Sequence, residues 1–319
     1  MGNVLRIATR KSALAVAQTT LAAKALVSSN PGLEYELVPM TTEGDRRLDK
    51  SLASFGGKGV FIKELEVALL EDRADIAVHS LKDMPAEVMP EFKLAAVLKR
   101  EDPRDAFIAR GGVNGKKFMD LPSGAHVGTG SIRRVVQLKA LRPDLEYVPI
   151  RGNIQTRLSK LEELDAVVLA AAGLRRMGLA DQVTEYFDTD KMLPASGQGI
   201  LAIETLADCH SGGSLATDRI QTILSRVNDA PTHCIAVAEM AFLKALNAGC
   251  QFPVASFAEF VQNSGAENAG ATSVMKIRGI YWDEASRRLL RAEYCGPVGT
   301  IEAAREAGIA LAGKIREQL

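Results

Sequence analysis

Cysteine and histidine are scarce in this chain of 319 residues, which contains four of each. No two cysteines form a C-x-x-C pair, and the neighbouring pairs Cys209–His210 and His233–Cys234 do not have the spacing of a zinc finger. The sequence therefore predicts no metal site. Four histidines also leave little material for acid–base catalysis, and no Ser/His/Asp arrangement is visible.

Net charge and long apolar segments are lacking as well. The chain has 39 Lys+Arg and 39 Asp+Glu, so no general attraction to nucleic acid or to an anionic membrane is expected. The longest apolar run, near residues 166–174, is too short to span a bilayer, and the first twenty residues lack the apolar segment of a secretory signal. We therefore expect a cytoplasmic protein.

Phosphate-binding motifs are the third absence. No G-x-G-x-x-G follows a predicted strand, and Gly56-Gly57-Lys58-Gly59 has neither the spacing nor the hydroxyl residue of a P-loop. This argues against a nucleotide or phosphoribosyl enzyme. The composition itself, with 47% apolar and 24% charged residues, is that of a globular protein, and the length suggests two or three domains.

The first hundred residues alternate between strand and helix patterns. Apolar runs at residues 4–8, 35–40 and 75–80 indicate strands, and Ser12 is a plausible N-cap for a helix over residues 13–27. A second helix is predicted from about residue 60 to 71. This β-α-β-α-β order favours a parallel sheet covered by helices.

Weak echoes of these segments recur later in the same order. Residues 127–131, 147–150 and 165–168 resemble residues 7–12, 37–40 and 75–78, which indicates a repeated lobe. A strand at 200–204 would return to the first sheet, so that two connectors form a hinge beside a cleft. We predict an α/β fold of two lobes with doubly wound sheets and a smaller α+β domain. Their residues are 1–100 with 200–225, 105–195, and 229–319.

The strand at residues 75–80 leads directly to Lys82 and Asp83, and Pro85 soon prevents further pairing. In open α/β sheets, ligands bind beyond the carboxyl ends of the strands. A cation and a carboxylate are thus delivered to the place where chemistry would occur. Taken alone, the pair is better explained as a surface ion pair.

Other strand-end loops are rich in cations and hydroxyl groups. Arg133 and Arg134 follow Ser131, a predicted helix N-cap, where their charge opposes the helix dipole unless an anion lies there. Arginine suits carboxylate and phosphate equally well, and matched positions in both lobes predict a polyanionic ligand. The set also includes Arg10, Ser12, Lys58, Ser80, Thr129, Arg151 and Arg157.

Cys250 differs from the other cysteines because it lies in a predicted polar turn, residues 247–251. A thiol in a loop is reached by solvent and can react, whereas a buried one is inert. The residues alone leave open whether Cys250 is reactive or an incidental loop cysteine.

Seven motifs follow one another along residues 4–257. They are Ala8-Thr9-Arg10-x-Ser12, Gly56-Gly57-Lys58-Gly59-x-Phe61-x-Lys63-Glu64, His79-Ser80-Leu81-Lys82-Asp83, Glu101-Asp102-Pro103-Arg104-Asp105-Ala106-Phe107, Arg151-Gly152-Asn153, Pro194-Ala195-Ser196-Gly197-Gln198-Gly199 and Gly249-Cys250-Gln251. In content and order they resemble the motifs of the porphobilinogen deaminases, also called hydroxymethylbilane synthases.

The resemblance implies two lobes like those of type II periplasmic binding proteins and a dipyrromethane cofactor joined by a thioether to Cys250. It implies a transferase of porphyrin and heme biosynthesis, expected as a monomer. Four porphobilinogen molecules would condense on the cofactor with loss of ammonia, and water would release hydroxymethylbilane. The acetate and propionate of each pyrrole ring would suit the arginines.

The resemblance also implies roles for individual residues. Asp83 would be the catalytic carboxylate, assisted by Lys82. The residues expected to bind the cofactor are Ser80, Lys82, Asp83, Thr129, Ser131, Arg133, Arg134, Gly152, Arg157 and Gln198. Those expected to hold or cover the substrate are Arg10, Ser12, Lys58, Phe61 and Arg151.

Three positions, Gly130, Met240 and Ala255, depart from the family pattern, and one alternative function remains. Gly130 stands where the family usually has Ser or Thr, which removes a possible hydroxyl ligand. The alternative is a two-lobe module that binds a small anion without catalysis. It would explain the repeated lobes and the arginines but requires neither Cys250 nor the adjacent Lys82 and Asp83.

Overall fold

The computed structural model describes residues 4–42, 62–207, 217–248, 252–261 and 273–319. The chain divides into two compact units. Unit 1 comprises residues 1–101 and 200–233, and unit 2 comprises residues 102–199 and 234–319. The boundaries of the three predicted domains stay a prediction.

The elements of the described chain alternate between strands and helices. In chain order they are β1 Val4–Arg10, α1 Ala13–Ser29, β2 Glu34–Met40, α2 Lys63–Leu70, β3 Ile76–Ser80, β4 Phe92–Val97, β5 Asp105–Ala109, β6 His126–Gly128, α3 Ile132–Leu141, β7 Glu146–Val148, α4 Ile154–Ser159, β8 Ala166–Ala170, α5 Ala171–Arg176, β9 Glu185–Tyr186, β10 Leu201–Leu206, α6 Thr217–Ser225, α7 Ala230–Ala245, β11 Val254–Val261, β12 Val274–Asp283, β13 Arg288–Pro297 and α8 Ile301–Arg316.

Unit 1 contains a five-stranded sheet in the order β2-β1-β3-β10-β4. Strand β1 runs parallel to β2 and β3, as the β-α-β-α-β pattern predicts, and the predicted return of residues 200–204 is confirmed by β10. The return strand is antiparallel to both of its neighbours, so the sheet is mixed. The sequence pattern did not indicate this direction.

Helices cover both faces of the unit 1 sheet. Strand β3 shows why, because successive side chains point to opposite faces. Ile76 and Val78 belong to a core with apolar residues of α1 and α6, whereas Ala77 belongs to a core with apolar residues of α2. Helix α1 begins where predicted, since the Ser12 side chain accepts a hydrogen bond from the Ala15 N–H at 3.3 Å.

Unit 2 repeats this architecture in the order β7-β6-β8-β5-β9. Strand β6 is parallel to β7 and β8, and β5 is antiparallel to β8 and β9. The repeat extends to side chains, because the carboxylates of Asp75 and Asp165 accept the backbone N–H groups of Arg6 (2.7 Å) and His126 (2.9 Å). The predicted pair of doubly wound lobes is therefore confirmed.

The last part of unit 2 is an antiparallel sheet in the order β11-β12-β13. Helices α7 and α8 cover one of its faces through a core that includes Phe242, Met275 and Leu311. Its opposite face packs Ala255 and Ile280 against Leu193. This is the smaller α+β domain that the sequence predicts.

Two glycines of α8 have contrasting surroundings. A Cβ atom on Gly308 would overlap the carbonyl oxygen of Ala238 in α7, whereas one on Gly313 would meet no atom within 4 Å. Helix α8 can therefore lie close to α7 only because residue 308 has no side chain.

We predict that Gly308→Ala destabilises the protein by about 1–3 kcal/mol, because the two helices must separate. Gly313→Ala is the matched control and should stabilise it by up to about 1 kcal/mol, since alanine favours a helix interior. Urea unfolding monitored by circular dichroism measures both. Equal effects of the two substitutions would contradict the close approach of α7 and α8.

Candidate active site

The end of β3 presents the predicted catalytic residues. Leu81–Asp83 form one turn of 3-10 helix, which is held by the hydrogen bond from the Leu81 N–H to the carbonyl of Ile200 at 3.0 Å. The Leu81 side chain is buried, Lys82 is half-buried and Asp83 is exposed. The turn therefore directs the Asp83 carboxyl group towards solvent, where a substrate can reach it.

Residues of the β1–α1 turn lie at the same edge of the unit 1 sheet. The parallel register pairs Ala8 with Ala77, so half-buried Arg10 is level with the end of β3. Ser12 accepts a hydrogen bond as the N-cap of α1, which leaves its hydroxyl proton as a donor. The predicted residues of lobe 1 that the structure describes are thus brought together at this edge.

The hydroxyl of Ser80 has a partner that the sequence did not suggest. It donates to Oε1 of Gln18 at 3.1 Å, and Gln18 is buried on α1. This bond joins α1 to the strand that leads to Asp83.

The corresponding edge of unit 2 holds the predicted hydroxyl residues. Thr129 is buried directly after β6, and Ser131 is half-buried at the N-terminus of α3. The Ser131 side chain makes no capping hydrogen bond to α3, unlike Ser12 in α1. A Cβ atom on Gly130 would lie 2.6 Å from the carbonyl oxygen of Ile150, so this backbone has no room for a serine or threonine side chain.

The β7–α4 loop carries Arg151 and Gly152 beside this edge, and Arg157 follows within α4. Gly152 has a φ of 100°, which favours glycine, and a Cβ atom there would lie 2.7 Å from Cγ2 of Thr156. The Gly152 carbonyl accepts from Arg157 Nε at 2.8 Å, and this bond sets the direction of the half-buried arginine. Arg151 is exposed.

Asp105, the first residue of β5, is the centre of a buried group of charges. Its carboxylate accepts from Arg133 Nη1 at 2.7 Å, from Arg134 Nε at 2.9 Å and from Gln198 Nε2 at 3.0 Å. The carboxylate is 0% exposed, and the two arginine side chains are 5% and 6% exposed. We call these four residues the Asp105 cluster.

In the Asp105 cluster, burial and the attraction between opposite charges shift the pKa values in opposite directions. Burial alone would raise the pKa of Asp105, but the charges of Arg133 and Arg134 and the hydrogen bonds outweigh it and hold that pKa far below its usual range. Burial also lowers the pKa of Arg134 to about 10, partly against the attraction of Asp105. Near neutral pH the cluster contains two guanidinium groups and one carboxylate.

This excess of positive charge fits an acidic cofactor group. Remaining donors of the arginines bind the carbonyls of Leu193 (2.6 Å) and Val168 (2.9 Å). Nε of Arg133 is buried without a hydrogen-bond acceptor among the described residues. A buried charge is costly unless it is paired. An anion beside the cluster would supply the missing charge.

Gln198 links the turn at residues 197–199 to the segment that leads into β5, and both lie within unit 2. Besides Asp105, its side-chain amide donates to the carbonyl of Pro103 at 2.7 Å. Gly197 and Gly199 both have positive φ, which shapes the turn around it. The Gly197 N–H donates to the buried Glu239 carboxylate at 2.6 Å. The described contacts of Gln198 are therefore with protein groups.

Sequence reasoning missed Asp105 and Gln137 as parts of this site. Gln137 binds both backbone groups of Leu193, through Oε1 at 2.8 Å and Nε2 at 3.0 Å. One signal was available: Asp105 begins an apolar run, where a carboxylate needs a buried cation. Arg133 and Arg134 were the cations, but their distance along the chain concealed the pairing.

Three predicted site residues, Lys58, Phe61 and Cys250, lie outside the described residues. Within the described ranges, no helix is both long and apolar enough to cross a membrane. The histidine, cysteine and acidic residues of those same ranges form no group of three that could hold a metal ion.

Comparison with known proteins gives a consistent result. Residues 5–211 match the family described as "Porphobilinogen deaminase, dipyromethane cofactor binding domain", and residues 233–317 match "Porphobilinogen deaminase, C-terminal domain". The porphobilinogen deaminase of Syntrophus aciditrophicus (strain SB) is 44% identical over 313 residues, 98% of this chain and 94% of that protein. That of Xylella fastidiosa (strain 9a5c) is 45% identical over 294 residues, 92% of this chain and 90% of that protein.

Similarity to solved structures is much weaker. The methionine binding protein MetQ has a TM-score of 0.43 and 14% identity, with 70% of this chain and 90% of that chain covered. This similarity carries no functional argument.

We predict that Asp105→Asn lowers the free energy of unfolding by about 3–5 kcal/mol, because it leaves two buried guanidinium groups without a counter-charge. The matched control is Glu163→Gln, which removes an exposed ion pair to Lys160 and should cost less than about 1 kcal/mol. Urea unfolding measures both.

The sign of the pH dependence gives a second check. Because the pKa of Asp105 is depressed in the folded protein, its contribution is present above the unfolded pKa, near pH 4, and is lost at lower pH. The difference between wild type and Asp105→Asn should therefore shrink on acidification. A difference that grows there would exclude an ionised Asp105.

Proposed function

Because this chain belongs to the porphobilinogen deaminase family, we propose that it joins four porphobilinogen molecules head to tail and then releases hydroxymethylbilane by hydrolysis. One ammonia is lost with each addition. The observation that carries the proposal is the edge of the unit 1 sheet, where exposed Asp83 follows half-buried Lys82 and lies at the same edge as Arg10. A proton donor is thus combined with cations that suit the carboxylates of porphobilinogen.

Asp83 is exposed, so a bound substrate can come within reach of its carboxyl group. Its carboxyl group donates a proton to the amine as ammonia leaves, and its carboxylate then stabilises the positive charge that develops. Lys82 contributes a positive charge beside it. The 3-10 turn holds both side chains beyond the end of β3, so substrate can approach without rearrangement of the sheet.

The dipyrromethane cofactor supplies, when bound, the primer to which pyrrole units are added. We propose that it is joined by a thioether to Cys250. The unbalanced charge of the Asp105 cluster supports an acidic cofactor side chain near Arg133 and Arg134. The proposed cofactor-binding residues are Ser80, Lys82, Asp83, Thr129, Ser131, Arg133, Arg134, Gly152, Arg157 and Gln198.

Within the Asp105 cluster the residues have different parts in this proposal. Arg133 donates to Asp105 and Leu193 through Nη1 but keeps Nε as a buried donor without an acceptor among the described residues, whereas Arg134 and Gln198 donate to Asp105 and to backbone carbonyls. Arg133 would therefore be the residue of the cluster that holds a cofactor carboxylate, through its Nε donor. Arg134 and Gln198 chiefly support the charge and position of the cluster.

Substrate binding is proposed at the remaining cations. Arg10 and Arg151 hold the acetate and propionate of incoming porphobilinogen, and Ser12 donates its hydroxyl proton. Phe61 and Lys58, which lie outside the described residues, are proposed to contribute to substrate binding. We further propose a cytoplasmic, three-domain monomer that binds neither nucleic acid nor membrane.

The alternative of a non-catalytic anion-binding module is not favoured. Both family domains match, and together they include the sequence positions of Asp83 and Cys250. A simple receptor would need neither residue.

Covalent attachment is tested by incubation with porphobilinogen followed by intact-mass measurement and an assay of ammonia release. We expect a mass increment the size of a dipyrromethane, because the cofactor is covalent. The increment should disappear in Cys250→Ser and persist in Cys295→Ser, which removes an exposed free cysteine. If the wild-type protein shows no mass increment and releases no ammonia, the proposed function is wrong.

The role of Asp83 is tested with Asp83→Asn, which keeps the size of the side chain but removes its charge and its acid proton. We expect turnover to fall about 10²–10⁴-fold, the usual contribution of a positioned acid or base. Asp120→Asn is the matched control, because Asp120 is also exposed at the end of a 3-10 turn, Phe118–Asp120. Wild-type turnover in Asp83→Asn would exclude the assigned role.

A further inference from the structure

Helix α2 covers its face of the unit 1 sheet with one buried acidic side chain among apolar ones. Leu65, Ala68 and Leu69 are at most 2% exposed and belong to the core, and Glu66 lies among them at 7% exposure. A carboxyl group is rarely buried without a partner or a proton. Glu66 therefore needs an explanation that packing does not give.

The sheet presents two further titratable groups to this layer. His79 of β3 and Glu204 of β10 are joined by a contact of 2.9 Å between Nε2 and Oε2, and their side chains are 5% and 1% exposed. The antiparallel register pairs His79 with Ala202 and Glu204 with Ala77, so both side chains point to the α2 face. We call Glu66, His79 and Glu204 the His79 cluster.

Charge balance in this cluster requires an additional proton. Two buried carboxyl groups and one imidazole have no net charge when the imidazole and one carboxyl group are both protonated. Glu204 is the carboxyl group in direct contact with the His79 imidazole, which leaves Glu66 as the carboxyl group outside that pair. Oε1 of Glu204 is buried without a hydrogen-bond partner among the described residues, so a second negative charge nearby would be costly.

We propose that Glu66 is the proton-bearing member of the His79 cluster and that this cluster positions the turn that carries Asp83. Glu66, protonated, leaves the pair between His79 and Glu204 electrically balanced. The pair joins β3 to β10 directly before Leu81, whose N–H is bound to Ile200 at the start of β10. The catalytic part of this inference rests on the function proposed above.

The electrostatic surroundings support a protonated Glu66. Burial, then the charge of Glu204, raises the pKa of Glu66 to about 7, while His79 lowers it and Glu91, before β4, adds a smaller increase. His79 of β3, Glu204 of β10 and Glu91 just before β4 are thus the titratable groups that affect the pKa of Glu66. Because the pKa is raised, its contribution to stability is present below about pH 4.5 and is lost as pH rises through about 7.

Thermal unfolding of wild type and Glu66→Gln between pH 5 and pH 8 tests the proton. Glutamine resembles the protonated acid and does not titrate, so the difference in Tm, variant minus wild type, should increase by at least about 2–4 °C over this range. Glu71→Gln, an exposed position at the end of the same helix, should show no such increase. A constant difference for Glu66→Gln would overturn the assignment.

Carbon NMR of the glutamate carboxyl groups gives an independent readout. One resonance should titrate near pH 7 in the wild type and be missing in Glu66→Gln. If every glutamate of the wild type titrates below pH 5, Glu66 does not hold the proton.

Positioning of the turn is tested with Glu204→Gln, which removes the charge that faces His79. Amide hydrogen exchange of Leu81 should become at least about tenfold faster, and kcat should fall about 10–100-fold with little change in KM, because a displaced Asp83 weakens only the transition state. Leu224→Ala lowers stability from the opposite face of the sheet and is the control, with kcat retained.

The possible outcomes separate this inference from the proposed function. Glu204→Gln with wild-type exchange at Leu81 and wild-type kcat would show that the cluster is only structural. If the wild-type protein releases no ammonia, the proposed function fails, while the Tm, NMR and exchange measurements still decide the role of the His79 cluster.

Discussion

The interaction on which unit 2 depends is the one between the buried carboxylate of Asp105 and its two arginines. The carboxylate begins β5, the arginines occupy the first turn of α3, and Gln198 brings a second connector to the same point. A strand, a helix and a turn are thus fixed by one negative charge. Because that charge is smaller than the two positive charges around it, the cluster is a structural centre that retains an unbalanced positive charge.

The two sheets have the same strand order, but the residues that follow their strands differ in charge. In both, an antiparallel strand from a distant part of the chain lies beside the third strand of the β-α-β-α-β unit. After β3 the chain makes a short turn that exposes Asp83, whereas after β8 it continues into α5, which ends with Arg175 and Arg176. The repeated architecture therefore places a candidate acid at one sheet edge and mostly cations at the other.

Local sequence patterns predicted the elements well because their causes are local. Ser12 caps α1, and the alternation of apolar residues defines β3. The direction of β5 and β10 was not predictable in this way, since it depends on pairing with strands far away in sequence. For the same reason Arg133 suggested an external anion, while Asp105, 28 residues earlier, supplies one from within the protein. Long-range charge pairing leaves no periodic signal.

The His79 cluster and the Asp105 cluster have charge imbalances of opposite sign. In unit 1, the two buried carboxyl groups of Glu66 and Glu204 share one imidazole, and in our proposal a proton on Glu66 balances the charge without opening the core. In unit 2 the excess is positive, and a guanidinium cannot lose its proton near neutral pH. Only an anion can compensate there. A lobe with excess buried carboxyl groups is therefore suited to hold protons, and a lobe with excess arginine to hold a cofactor rich in carboxylates.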